Sequence, residues 1–318
     1  MSDTKYCPVT LEDFVGEQNA NYQIYVRMSA DKYVKIANGI EELNQERLDH
    51  YKSKGMERLF VKKEDFEKII EFNTKLSSVM ANYSDVDLEK RQRFLSNTGQ
   101  LIVGSLFVNE IDEKQFEEAQ NFLENSLDII TQDSQVFSLL EALRNRSDQL
   151  YAHSLGVSLY SYLIAKEMGW QKSSILYKLS FGGLVHDIGK RDLPEELLSK
   201  PKADLRREDK ILLESHTWRG KEILEQMESI PEEVIAIAYQ HHEACDGSGF
   251  PQKFDKKSIH PFAKIVAVAN TFCDFVLESS SNPVVSTLNA INIMNKEYSD
   301  QFDEATFAAL KALVNKAI

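Results

Sequence analysis

The chain contains seven histidines among 318 residues, and five of them, His153, His186, His216, His241 and His242, fall between residues 153 and 242. They adjoin or lie within segments of helix length. "LSFGGLV" runs into His186, a helix spanning about Leu205 to Met227 carries His216, and "VIAIAYQ" ends at the pair His241-His242. Imidazoles spaced in this way are brought together only by a fold that packs successive helices and converges their ends. A mainly α domain follows for this half of the chain. His50, on a charged predicted helix, and His260, just before Pro261 at a helix start, read as surface and structural residues.

His186 is followed directly by Asp187 and, four residues on, by Lys190, in "LVHDIGK". On a helix these three share one broad face. Charged groups at the end of an apolar helix are costly unless paired or bound to a cation. Taken singly, the His-Asp pair reads equally as a hydrogen-bonded core pair, and His216 as a structural histidine. As a set, the histidines point to metal. Adjacent helical residues diverge by about 100°. His241 and His242 therefore serve a common purpose when the centre lies off the helix end, or when two metals are present. Glycine-rich "DGSG" then turns the chain sharply. Imidazole and carboxylate ligands suit Fe, Mn or Zn, and two metals about 3.5–4 Å apart can clamp a phosphoryl group for in-line displacement.

The remaining sequence divides unevenly. Residues 22–28, "YQIYVRM", alternate so that Tyr22, Ile24, Val26 and Met28 face one way, as in a half-buried strand. "KYVKIA" at 32–37 is its predicted partner, a helix follows over 41–55, and "ERLFVK" at 57–62 is a further strand. The expected organisation is a small α/β accessory domain over 1–70, a helical connector over 71–145 and an all-helical metal-binding domain over 146–318. Within the connector, Phe116, Ala119, Phe122, Leu123, Leu127 and Ile130 form one apolar helix face. The net charge of −13 argues against DNA or RNA polymers as partners. Three cysteines without a CxxC pair fit a reducing compartment. No signal-like or membrane-length apolar segment is seen, and the expected location is cytoplasmic.

In order, "YAHSLG", "HDIGK", "SHTWRG", "HHEACDGSGFP" and "KIVAVANTFCDF" resemble the motifs of the HD superfamily of metal-dependent phosphohydrolases. They resemble most specifically those of the HD-GYP cyclic di-GMP phosphodiesterases, over about 146–318. The resemblance implies a binuclear centre ligated by His153, His186, Asp187, His216, His241, His242 and Asn270. Asp187 would bridge the metals and act in catalysis, and Lys190 would contact substrate phosphate. Two divalent ions are implied, Fe favoured over Mn or Zn. Cyclic di-GMP or a related cyclic dinucleotide is the implied partner, with a signalling protein as a further one.

Four departures bear on this reading. Asn270 stands where the family has a ligand aspartate, with Asp274 one helical turn further on as an alternative carboxylate. Gln149 stands where members with a third metal have glutamate, which favours two metals. Phe250 replaces the GYP tyrosine, and "LESSSNPVVS" lacks the family's arginine-containing segment. Two other readings therefore accompany the phosphodiesterase: a catalytically degenerate metal-binding receptor or interaction module, and a phosphohydrolase with another substrate. Cys245, inside the histidine motif, reads as an idle thiol.

Overall fold

The computed structural model describes residues 5–9, 22–29, 32–39, 42–43, 45–54, 59–82, 86–108, 113–131, 149–277 and 284–316. The chain forms two compact units, Met1–Glu110 and Ile111–Ile318. The boundary falls inside the stretch that the sequence marks as a helical connector. Residues 132–148 of the connector region and most of "LESSSNPVVS" (278–283) lie outside the described residues.

The first unit holds an antiparallel sheet of β1 (Tyr6–Val9), β2 (Ile24–Ser29), β3 (Lys32–Ala37) and β4 (Leu59–Lys62), in the order β1-β4-β2-β3. Its helices are α1 (Gln45–Lys52), α2 (Lys63–Asn82) and α3 (Leu88–Val108). The expected alternation in β2 is broken. Ile24, Tyr25 and Val26 are all buried, whereas Met28 is 52% exposed. β2 lies between β3 and β4, but β4 pairs only with Tyr25 and Val26, so the second half of β2 runs past its neighbour. The β2–β3 register also shifts between Ile24 and Tyr25 and between Arg27 and Ser29, and each such irregularity resets which face a residue occupies. The Tyr6 ring, 4.7 Å from that of Tyr25, covers the face that alternation would have left open. β1 is absent from the sequence reading, and it contains Pro8, which a central strand would not tolerate. It is tolerated here because β1 is an edge strand paired only with β4. α2 turns Phe66, Ile69 and Ile70 inward at helical spacing. His50 is exposed on α1, as expected.

The second unit begins with α4 (Glu113–Ile130), whose predicted apolar face, Phe116 through Ile130, is buried as expected. α5 (Gln149–Glu167) and α6 (Ser173–Val185) form the central pair. They approach closely because small residues meet. A Cβ on Gly183 would stand 3.0 Å from Ser158 Cα, and the Ser158 and Ser180 hydroxyls are 2.7 Å apart. Around this pair lie α7 (Glu195–Leu198), α8 (Arg207–Glu214), α9 (His216–Glu225), α10 (Glu232–Gln240), α11 (Pro261–Val276), α12 (Thr287–Glu297) and α13 (Glu304–Lys316). α10 packs on α6, and α11 and α13 pack on α5. His260 caps α11, its Nδ1 accepting from the Phe262 N–H, which is the structural role expected of it.

Two helical expectations are corrected. His186, Asp187 and Lys190 do not share an α-helix, because α6 ends at Val185 and a 3₁₀ turn follows over Ile188–Asp192. Nor is there one helix from Leu205 to Met227: the chain breaks at Ser215, between α8 and α9. At that break side chains bond back to the last carbonyls of α8, Ser215 Oγ to Leu212 and Thr217 Oγ1 to Glu214. The 3₁₀ turn then lies backbone against backbone on the start of α9. A Cβ on Gly189 would fall 2.0 Å from the His216 carbonyl oxygen and 2.5 Å from the Gly220 nitrogen.

Neither backbone atom can step aside as a flexible side chain would. Gly189→Ala should therefore cost about 2–4 kcal/mol in chemical denaturation. Gly220→Ala, whose Cβ would meet nothing nearer than 3.4 Å, should change stability by less than about 1 kcal/mol.

Candidate metal centre

Three of the histidines stand at helix junctions. His186 directly follows α6, His216 opens α9 immediately after α8, and His241 directly follows α10. The last turn of a helix leaves carbonyls without partners. In each case the ring donates to a carbonyl of that last turn: Nδ1–H of His186 to the Gly183 carbonyl at 2.7 Å, that of His216 to Leu213 at 2.6 Å, and that of His241 to Ala238 at 3.0 Å. A carbonyl only accepts, so Nδ1 carries the proton and Nε2 presents a lone pair. The backbone thus sets both tautomer and ring orientation, the support that metal-ligating imidazoles receive.

The Nε2 atoms converge on Asp187. Its Oδ1 is 3.2 Å from His216 Nε2 and 3.6 Å from His241 Nε2, and its Oδ2 is 3.3 Å from His186 Nε2. His216 and His241 bring their Nε2 atoms within 3.3 Å of each other. Lone pairs so placed repel one another and the carboxylate unless a cation lies among them. His186 Nε2 and Asp187 Oδ1 are buried without a hydrogen-bond partner. The partial negative charge at the C-terminal ends of α6 and α10 adds to the same demand. Two ligand groups result, Asp187 with His216, His241 and His242, and Asp187 with His153 and His186, the donor atoms of each lying within 4.8 Å of one another. The residues present fit divalent cations, with Asp187 common to both groups.

The protonation states agree. Burial lowers the His153 pKa to about 4 and that of His216 to about 3, and it also lowers those of His241 and His242. Burial alone would raise the Asp187 carboxyl. The adjoining His186 ring and the Lys190 ammonium outweigh it and hold that carboxyl well below its ordinary range. Neutral imidazoles around an ionised carboxylate are the state in which these groups bind metal.

Lys190, 23% exposed, reaches back from the 3₁₀ turn and sets Nζ 2.5 Å from Asp187 Oδ2. Asn270, buried on α11, places Oδ1 2.8 Å from His153 Nε2. The five histidines and Asp187 singled out in the sequence as ligands therefore come together here, Asn270 touches His153, and Lys190 lies beside Asp187. Gln149, one turn before His153, opens α5. Cys245 is half-buried and outside both ligand groups, with its thiol pKa raised by burial.

Two contributions escaped the sequence reading. Glu243, quoted there only as part of a motif, is buried and staples the loop after the histidine pair. Its carboxylate accepts from the Gln252 and Phe254 backbone N–H groups at 2.6 and 2.8 Å. Gly249 closes the same loop, where a Cβ would stand 2.3 Å from the Ala244 nitrogen. Phe250 is thereby laid against His242, the rings stacked at 4.5 Å and 22°. The aromatic ring at this position supports the His242 ring, and no hydroxyl is needed for that. The alternation of His, Glu and Gly in one short motif signals a built loop, but only coordinates reveal which group bonds to which.

Phe250→Ala should weaken metal binding by about 10–100-fold, as loss of support around a ligand does, while Phe250→Tyr should retain it; competition with a chromogenic chelator measures both. The lowered histidine pKa values also set the sign of the pH response. Ligands that deprotonate at about 4 and about 3 remain free for metal through pH 5, where an ordinary imidazole is largely protonated. Metal content after dialysis should hold from pH 7 to 5 and fall as pH drops through 4 to 3.

Known proteins resemble this chain to different extents. Residues 128–306, more than half of the chain, match the family model of the HD domain. A cyclic di-GMP phosphodiesterase of Thermotoga maritima is 33% identical over 161 residues, covering 50% of this chain and 41% of that protein. A 3'3'-cGAMP-specific phosphodiesterase of Vibrio cholerae is 32% identical over 156 residues, covering 48% of this chain and 35% of that protein. The matched stretch is thus less than half the length of either relative. The solved structure of Bd1817, described as an HDG"Y"P protein from Bdellovibrio bacteriovorus, shares the fold with a TM-score of 0.77 at 19% identity, over 98% of this chain and 99% of that one. With the family match over its helical unit and the shared fold, the chain belongs to the HD domain family.

Proposed function

We propose that the chain is a binuclear-metal phosphodiesterase that opens cyclic di-GMP or a related cyclic dinucleotide. The observation that carries this reading is one buried carboxylate, Asp187, common to two histidine groups, with the Lys190 ammonium beside it. The relatives named as phosphodiesterases of cyclic di-GMP and of 3'3'-cGAMP supply the substrate class.

Divalent ions held by His153, His186, Asp187, His216, His241, His242 and Asn270 would supply Lewis-acid polarisation of the phosphodiester and a water acidified for attack. The protein's own contribution is positional. Asp187 stays ionised while almost fully buried, and the histidines stay neutral, so the centre holds its charge without recruiting protons. Lys190 is anchored on Asp187 yet partly exposed, which suits it to meet a phosphate oxygen and stabilise the negative charge that develops there. Three free thiols accord with a reducing, cytoplasmic setting, and among the described residues no helix is long and apolar enough to cross a membrane.

A second reading, a metal-holding receptor without turnover, is favoured by one observation: the ligand position on α11 is the neutral amide Asn270. Protein purified without oxygen, assayed for metal per chain and supplied with Fe(II) or Mn(II), decides between them. We expect two metals per chain, ring opening of cyclic di-GMP or 3'3'-cGAMP, and a loss of about 10²-fold in turnover for Lys190→Ala. Two metals with no turnover of either dinucleotide would leave the receptor reading.

A further inference from the structure

His153 differs from His186, His216 and His241 in where it stands. It lies within α5, where the backbone carbonyls are taken up by the helix ladder, so no helix-end carbonyl is available to its Nδ1. The group facing that atom is a carboxylate: Asp274 Oδ1 is 3.7 Å from His153 Nδ1, with the ring 12% and the carboxylate 33% exposed. On the other side of the ring, Nε2 lies 2.8 Å from Asn270 Oδ1, an acceptor for a proton on that nitrogen; when Nε2 is given to a cation instead, the ring proton sits on Nδ1, the side of Asp274. Asn270 and Asp274 are one turn apart on α11, so a single helix face brackets both nitrogens of one imidazole.

The two contacts differ in kind. Asn270 can offer a metal its carbonyl oxygen but brings no negative charge. Asp274 brings the charge on the Nδ1 side of the ring, away from Asn270. A carboxylate that accepts from Nδ1–H fixes the tautomer with Nε2 as ligand atom and makes that nitrogen a stronger donor. The observed 3.7 Å is an ion-pair distance, longer than a hydrogen bond. The partly exposed Asp274 side chain needs to close by less than 1 Å to accept that bond.

We propose that Asp274 is a positioning residue that supplies, through His153, the negative charge that Asn270 does not bring to the metal centre. The charge reaches the metal across the imidazole instead of by direct ligation. This rests on the assignment of His153 as a ligand, and it holds whether or not the centre turns over a dinucleotide.

The test is a double-mutant cycle read by metal, with no substrate present. Asp274→Asn, Asn270→Asp and the double variant are titrated with Co(II), following the visible ligand-field bands and the affinity of each of the two sites. Asp274→Asn is expected to weaken one site about 10–100-fold and to shift its bands. Asn270→Asp in the same chain is expected to restore the affinity, because the charge then ligates directly. Unchanged affinity and bands in Asp274→Asn would overturn the proposal. So would a loss that Asn270→Asp fails to rescue, since Asp274 would then act by packing and not by charge. If Asp274→Asn alone does not fold, the comparison of the double variant with Asn270→Asp decides. Near-equal affinities support the proposal, and a 10-fold or greater gap overturns it. A failure of dinucleotide turnover leaves these titrations fully interpretable.

Discussion

The hydrogen bond from a histidine Nδ1–H to the last carbonyls of a helix is the interaction on which the second unit turns. It occurs three times, at the ends of α6, α8 and α10. Each occurrence settles two things together: a carbonyl of the helix's last turn gains a donor, and the opposite ring nitrogen is aimed with its lone pair forward. The helix ends and the histidine cluster are therefore one construction. The break at Ser215 belongs to it, because it sets His216 at a junction with its ring turned back on the Leu213 carbonyl.

The second constraint follows from the first. Lone pairs aimed at a 1% exposed carboxylate make a pocket that only positive charge can stabilise. Burial keeps the imidazoles neutral, so that charge is not drawn from their own protons. Lys190 provides one positive group on Asp187, and the 3₁₀ turn that delivers it is possible because Gly189 lets two backbones meet. The loop behind His241 and His242 is held by Glu243 and closed at Gly249, and its Phe250 presses on a ligand ring. Little of the "HHEACDGSGFP" stretch is idle, yet most of it shapes the centre from behind instead of facing it.

Much of this was legible in advance. Histidine spacing against apolar segments marked the residues that gather around Asp187, because helix ends recur at predictable lengths. The apolar face of α4 was legible for the same reason of period. Where reading failed, a non-local contact had overridden a local pattern. The alternation in β2 was lost to register shifts and to the Tyr6 ring arriving from β1, a strand absent from the sequence reading whose proline an edge position tolerates. The predicted helix through His186, Asp187 and Lys190 gave way to a 3₁₀ turn because α9 packs against it.

By itself, then, the sequence determined the chemistry available: which residues can ligate, that α11 offers an amide in place of a carboxylate, and that a helical fold must gather them. Tertiary structure decided which nitrogen the His186, His216 and His241 rings present, that Asp187 is common to both histidine groups, and that Asp274 faces His153 in the body of α5. The reason is physical. Ligand type is a property of a side chain, but tautomer, direction and charge balance are set by the neighbouring groups, and those come from elements distant in the chain.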